Sequence, residues 1–235
     1  MAEPAIDVTE NNKETKRHKS IKHYSSSHRI LLVGEGDFSF SASLARAFGS
    51  ACNMVATSFD SAGELLMKHP TAKPNLKLLM ELGCIVLNDI DCHTMNEHPN
   101  LKETKFDRIV FNFPHAVLYF PESKREQINL HKDLVKGFFK SASSMLTSNG
   151  EVHVTHKTTQ PYSFWGLEDL AKDVGLTLLE KSAFKKWDYP GYNQKRAYGR
   201  KCNRGFRVGE CATFKFVLSV DDSELNGYQP HCAFM

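Results

Sequence analysis

The feature that most narrows the possible folds is a strand, a glycine turn and a helix in direct succession. Arg29 to Val33 (RILLV) is a short run of β-branched residues and leucine that stops at Gly34. Gly34-Glu35-Gly36-Asp37-Phe38-Ser39 follows, and Ser41 to Phe48 then reads as a helix that ends at Gly49. Glycines in such a turn allow a sharp reversal and close approach of a ligand to backbone N–H groups. The alternation continues along the chain. Runs at 53–59, 84–87, 108–113, 151–155 and 176–179 read as strands, and 210–218 alternates as a seventh. Leu76, Leu79 and Met80 read as a helix stopping at Gly83, and 164–174 as another. The spacing of Ile128, Leu134, Val135, Phe138, Phe139, Met145 and Leu146 predicts a helix of about five turns closed by Asn149-Gly150. Strands alternating with helices imply an α/β fold: an open, mostly parallel seven-stranded sheet with helices on both faces. The last two strands have no helix between them and are expected to form a C-terminal antiparallel hairpin.

The length of 235 residues suits one large domain. Residues 1–27 are polar without apolar periodicity and are expected to be a disordered basic tail, 28–219 the folded domain, and 220–235 a flexible C-terminal tail. No run approaches the roughly 18 apolar residues of a membrane helix, and the first residues lack an apolar signal core. A soluble, intracellular chain with no membrane partner is expected. The six cysteines contain no C-x-x-C pair, so no metal site is expected and the thiols should be reduced. A monomer is expected.

Net charge is only +3, but it is unevenly placed. Between Lys181 and Arg207 nine lysines and arginines face the single acid Asp188, so this stretch carries +8 and the rest of the chain nets −5. Trp187, Tyr189, Tyr192, Tyr198 and Phe206 are interleaved with these cations. Cations for phosphates beside flat rings for exposed bases make the composition of a single-stranded RNA surface. The candidate RNA contacts are Tyr189, Tyr192, Lys195, Arg196, Arg200 and Lys201; an ordinary solvated loop is the alternative.

In such a sheet, ligands bind outside the carboxyl ends of the strands at the topological switch point. The dinucleotide fingerprint wants a third glycine where this chain has Ser39, and Glu35 and Asp37 crowd the turn. Acids suit a ligand carrying ammonium or sulfonium charge better than a pyrophosphate. Asp60, at the end of the second strand, is placed for ribose hydroxyls, and Asp89 and Asp91 follow the third strand, where an adenine edge would lie. The fourth strand ends Asn112-Phe113-Pro114-His115, a rigid wall with hydrogen-bonding groups against which a planar base could sit; a simple strand stop is the alternative. His156 and Lys157 end the fifth strand, as core-edge residues or phosphate contacts.

The blocks GEGDFSFS (34–41), TSFDS (57–61), FDRIVFNFPH (106–115), GEVHVTHKT (150–158), YPGY (189–192) and GECATFKF (209–216) resemble, in the same order, those of the 25S rRNA (uridine-N3)-methyltransferase-like family. The resemblance covers about residues 28–218. It implies a Rossmann-like class I fold, S-adenosylmethionine as cofactor, and ribosomal RNA or a pre-ribosomal particle as partner, in the nucleus or nucleolus; the cytoplasm is the alternative. It further implies that Gly34, Gly36, Asp37 and Phe38 line the methionine side, with Glu35 and Ser39 in the same turn. Asp60 would take the ribose, Asp91 rather than Asp89 the adenine side, and Asn112 to His115 the target base. For methyl transfer to uridine N3, His115 is the candidate base, Asn112 and Pro114 the base-holding wall, and Lys157 the stabiliser of developing charge. A methyltransferase for another substrate and a non-catalytic binding module remain the competing readings.

Overall fold

The computed structural model describes residues 18–219. A small antiparallel hairpin, β1 (Ser20–Ile21) and β2 (Tyr24–Ser25), precedes the main sheet. The sheet strands are β3 (Ile30–Val33), β4 (Met54–Thr57), β5 (Ile85–Leu87), β6 (Phe106–Asn112), β7 (Leu146–Lys157), β8 (Leu176–Ala183) and β9 (Cys211–Leu218). The helices are α1 (Ser39–Phe48), α2 (Ala62–Lys68), α3 (Ala72–Glu81), α4 (Arg125–Ser143) and α5 (Leu167–Lys172). The strand order is β5-β4-β3-β6-β7-β9-β8. Pairing is parallel from β5 through β7, and β9 runs antiparallel to both β7 and β8. This is the Rossmann-like class I arrangement expected above, with the closing antiparallel hairpin. Its topological switch point lies between β3 and β6.

The central strands are buried on both faces, which is why they read as unbroken apolar runs. Along β3 the pleat sends Ile30 and Leu32 to a core with Phe40 and Leu44 of α1, and Leu31 and Val33 to a core with Phe138 and Phe139 of α4. Gly34 has φ +67°, and a Cβ there would lie 2.5 Å from the Phe111 ring. The glycine is therefore demanded by the fold before any ligand is considered.

Three boundaries depart from expectation. First, α4 ends at Ser143, well before Asn149-Gly150. That dipeptide lies inside β7, where the register slips: Phe106 pairs with Leu146 but Arg108 with Glu151. A Cβ on Gly150 would meet the Phe106 carbonyl oxygen at 2.9 Å, so the Asn-Gly signal marks a bulge, not a helix end. Second, the expected helix at 164–174 is a 3-10 turn (Tyr162–Trp165) followed by the shorter α5. The helix α2 was not expected, although Ser61 and Glu64 form a capping box at its start.

Third, residues 18–27 are not a loose tail. Tyr24 is 2% exposed and packs edge-on against Phe40, and its hydroxyl lies 3.2 Å from His153 Nδ1. His153 Nε2 in turn meets Glu151 at 2.7 Å, and Glu151 pairs with Arg108 at 2.9 Å. The first 17 residues and 220–235, the rest of the two expected tails, lie outside the described residues. Burial pushes the His153 imidazole down to about 4, so it is neutral at physiological pH. Tyr24→Phe is expected to lower the unfolding free energy by about 1 kcal/mol, read from urea denaturation. An unchanged midpoint would mean that the hydroxyl contributes nothing to anchoring the hairpin.

Candidate active site

A cavity of about 750 Å³ opens at the carboxyl ends of β3 and β6. Both sequence motifs reach it: Gly34, Glu35, Gly36, Asp37 and Ser39 on one side, Asn112, Pro114 and His115 on the other. The glycine turn is tied to β4 by the Glu35 N–H, which donates to the Thr57 carbonyl at 2.8 Å. The Glu35 carboxylate is buried and accepts from the Ser41 N–H in the first turn of α1. Burial pushes it up to about 7. Asp37 accepts from the Ser39 N–H and the Thr71 hydroxyl and lies 3.4 Å from the Lys195 ammonium.

Several expected site residues are placed otherwise. Phe38 sits at φ +56° with its ring fully buried in the core beside α1, so it supports the turn from behind and does not line the cavity. Asp60 is held by Lys68 at 2.5 Å, and neither it nor the exposed Asp89 is on the wall. Phe59 and Asp91 are. Asp91, Cys92 and His93 bring one ligand atom each within 4.8 Å of one another, but burial pushes the Cys92 thiol up to about 12 and opposes the thiolate a metal would need.

Asn112 lines the cavity with both amide atoms buried and without a protein partner. Buried polar groups without partners are costly, so this amide is equipped for a polar ligand. The His156 Nε2 and Trp165 Nε1 atoms on the same wall are also unpartnered. A pocket with two glycines at its lip, acids in its turn and open donors on its wall fits S-adenosylmethionine.

His115 is the head of a connected group. Its Nε2 is 3.2 Å from one Glu122 oxygen, while the other accepts from the Tyr162 hydroxyl at 2.5 Å. The Lys157 ammonium donates to the same hydroxyl at 3.2 Å and stands over the Tyr162 and Phe206 rings. The hydrogen bond from His115 is the main reason that the Glu122 carboxyl is pulled down to about 2, with the Tyr162 hydroxyl and the Lys157 charge adding to it. His156 is pushed down to about 3 by burial, so it is a neutral wall residue and not a phosphate cation. Tyr162 follows the fifth strand at the carboxyl edge, as its place in the sequence implies, whereas Glu122 and Trp165 carry no sequence signal of their own. The loop between His115 and α4 is pinned by two other unexpected residues. Gln127 Oε1 accepts from the Tyr119 and Phe120 N–H groups, and His131 Nδ1 accepts from the Ala116 N–H.

The basic segment divides in two. Tyr189 and Tyr192 are 3% and 9% exposed and pack on Phe40, with Tyr189 also stacked on Phe184. They fasten the segment to the core; Tyr189 stays off the cavity, while Tyr192 reaches its wall. The Lys195 side chain is 3% exposed and spent on Asp37 and Asn203. Arg196, Arg200 and Lys201 are exposed. The Asn193 N–H and carbonyl both bond the Ser39 hydroxyl, so this segment clasps the glycine turn.

The model of the BMT5-like family, described as rRNA (uridine-N3-)-methyltransferase BTM5-like, matches residues 31–196. Heavy metal-associated isoprenylated plant protein 41 of Arabidopsis thaliana is 51% identical over 205 residues, which is 87% of this chain but 40% of that protein. An uncharacterized Arabidopsis thaliana protein is 50% identical over 86% of this chain and 98% of its own length. The 25S rRNA (uridine(2634)-N(3))-methyltransferase of Saccharomyces cerevisiae is 25% identical, covering 79% of this chain and 73% of the yeast protein. Among solved structures, a TehB-like SAM-dependent methyltransferase from Corynebacterium glutamicum aligns at a TM-score of 0.48 with 19% identity, covering 82% of this chain and 80% of that one.

Proposed function

The chain belongs to the BMT5-like family, and from that membership we propose that it is an S-adenosylmethionine-dependent methyltransferase acting on N3 of a uridine in large-subunit ribosomal RNA, in the nucleus or nucleolus. The observation that carries this reading is the meeting of the glycine turn and the Asn112–His115 motif on one cavity, with the Asn112 amide unpartnered. When bound, S-adenosylmethionine supplies a methyl group activated by its sulfonium.

Every other requirement falls on side chains of this protein. Gly34, Gly36 and the Asp37 turn would hold the methionine end, and Asp91 with Phe59 the adenosine end. Asn112 offers a donor and an acceptor, the pair that a uracil carbonyl and N3–H require. Neutral uridine N3 is a poor nucleophile until its proton leaves. His115 would accept that proton, as the imidazole on the cavity wall beside the Asn112 motif. An ionised Glu122 can only accept hydrogen bonds, so it fixes the proton of neutral His115 on Nε2 and leaves Nδ1 basic. Lys157 would oppose the negative charge that grows on the uracil ring.

Nucleoside mass spectrometry of ribosomal RNA tests the substrate. Cells lacking the protein are expected to lose 3-methyluridine from large-subunit RNA and to regain it with the wild-type gene. Unchanged 3-methyluridine, with calorimetric binding of S-adenosylmethionine intact, would assign the methyl group to another acceptor.

A further inference from the structure

A target uridine must leave its stack to enter a cavity, and its neighbours then lose stacking partners. The mouth of the cavity carries two rings that the described fold leaves largely or partly open to solvent. Tyr119 is 71% exposed and Tyr198 36%, and both line the opening. Exposure of Tyr119 is not a matter of a loose loop. Gln127, fully buried, accepts from the Tyr119 and Phe120 N–H groups at 3.0 and 3.1 Å and donates to the Val117 carbonyl at 2.9 Å. The fold thus uses a buried amide to hold this ring in solvent. Tyr198 comes from the other side, on the basic segment, next to Arg196 and close to Arg200 and Lys201, all exposed.

We propose that Tyr119 and Tyr198 form a stacking rim that receives the nucleobases flanking the methylated uridine, with Arg196, Arg200 and Lys201 on the adjoining phosphates. This rests on the RNA reading above and deepens it. The rings stand beside a run of unburied cations, which suits a polyanion with flat faces. The core of a protein interface is instead depleted of charge. Tyr189 and Tyr192, expected from the sequence to do this, pack on the core, and the more exposed Tyr119 and Tyr198 take the role instead.

The test uses the whole chain and a fluorescein-labelled oligouridine of about 12 nucleotides, within the span such surfaces cover. Tyr119→Ala and Tyr198→Ala are each expected to weaken binding about tenfold, and the corresponding Phe variants much less, since the ring face remains. Calorimetric affinity for S-adenosylmethionine should not move, because neither ring supports the glycine turn. Wild-type RNA binding with unaltered Ala variants would overturn the rim and leave the two rings to a protein surface. A wild-type protein that binds S-adenosylmethionine but no RNA would overturn the rim and the RNA reading together.

Discussion

Replacing His115 by alanine is expected to slow single-turnover methylation by about a hundredfold or more, the usual contribution of a positioned base, while calorimetric affinity for S-adenosylmethionine stays at the wild-type level. His115 is partly exposed just past β6 and belongs to neither apolar core, so its removal loses its contact with His131 but leaves both cores in place. Glu122→Gln should cost less, about tenfold, because the amide still fills the space but no longer dictates which imidazole nitrogen carries the proton. His115 lies against the His131 and Trp165 rings, and the one anion bonded to it is Glu122. Glu122→Asp, which keeps the carboxylate, should recover part of the rate that Glu122→Gln loses. A purely structural role for Glu122 would make the isosteric Gln the milder of the two changes. Full turnover in His115→Ala would assign proton removal elsewhere, and loss of cofactor affinity would make His115 a binding residue.

The contrast between His115 and Glu122 shows what could be read in advance. His115 follows a β-branched strand and a proline, so its place at a carboxyl edge is a local inference from periodicity and turn chemistry. Gly34 and Gly36 were legible for the same reason. Glu122, Tyr162 and Trp165 come from a loop and a 3-10 turn on opposite sides of α4 and β7, and only the tertiary fold brings them beside His115. The sheet was legible because its strands are short, apolar and separated by helical spacing. The hairpin at 20–25 was not, because two-residue strands have no periodicity and Tyr24 is one apolar side chain in a polar stretch. Composition found the basic segment, but composition has no direction: it cannot tell a ring packed on Phe40 from a ring in solvent.

Lys195 brings that limit to an experimental choice. As one cation among nine it would be removed to weaken RNA binding, yet its ammonium is buried against Asp37 and also donates to the Asn203 carbonyl and side chain at 2.8 and 2.9 Å. Breaking a buried pair from one side leaves the other charge uncompensated, at a cost of about 3–5 kcal/mol. Lys195→Met is therefore expected to shift the urea midpoint strongly and to loosen the clasp on the glycine turn, with weaker cofactor binding. The slope of log affinity for RNA against log salt should stay where it is, because a paired lysine releases no phosphate counterion. Replacing Arg196, Arg200 and Lys201 together should do the opposite. Stability should hold, and the slope should flatten by about two units, at roughly 0.7 per phosphate contact on a single strand. Adding Asp37→Asn to Lys195→Met should recover part of the lost stability, because the stranded carboxylate is gone. If Lys195→Met unfolds like the wild type while flattening the salt slope, the ion pair is incidental and Lys195 belongs to the RNA surface after all.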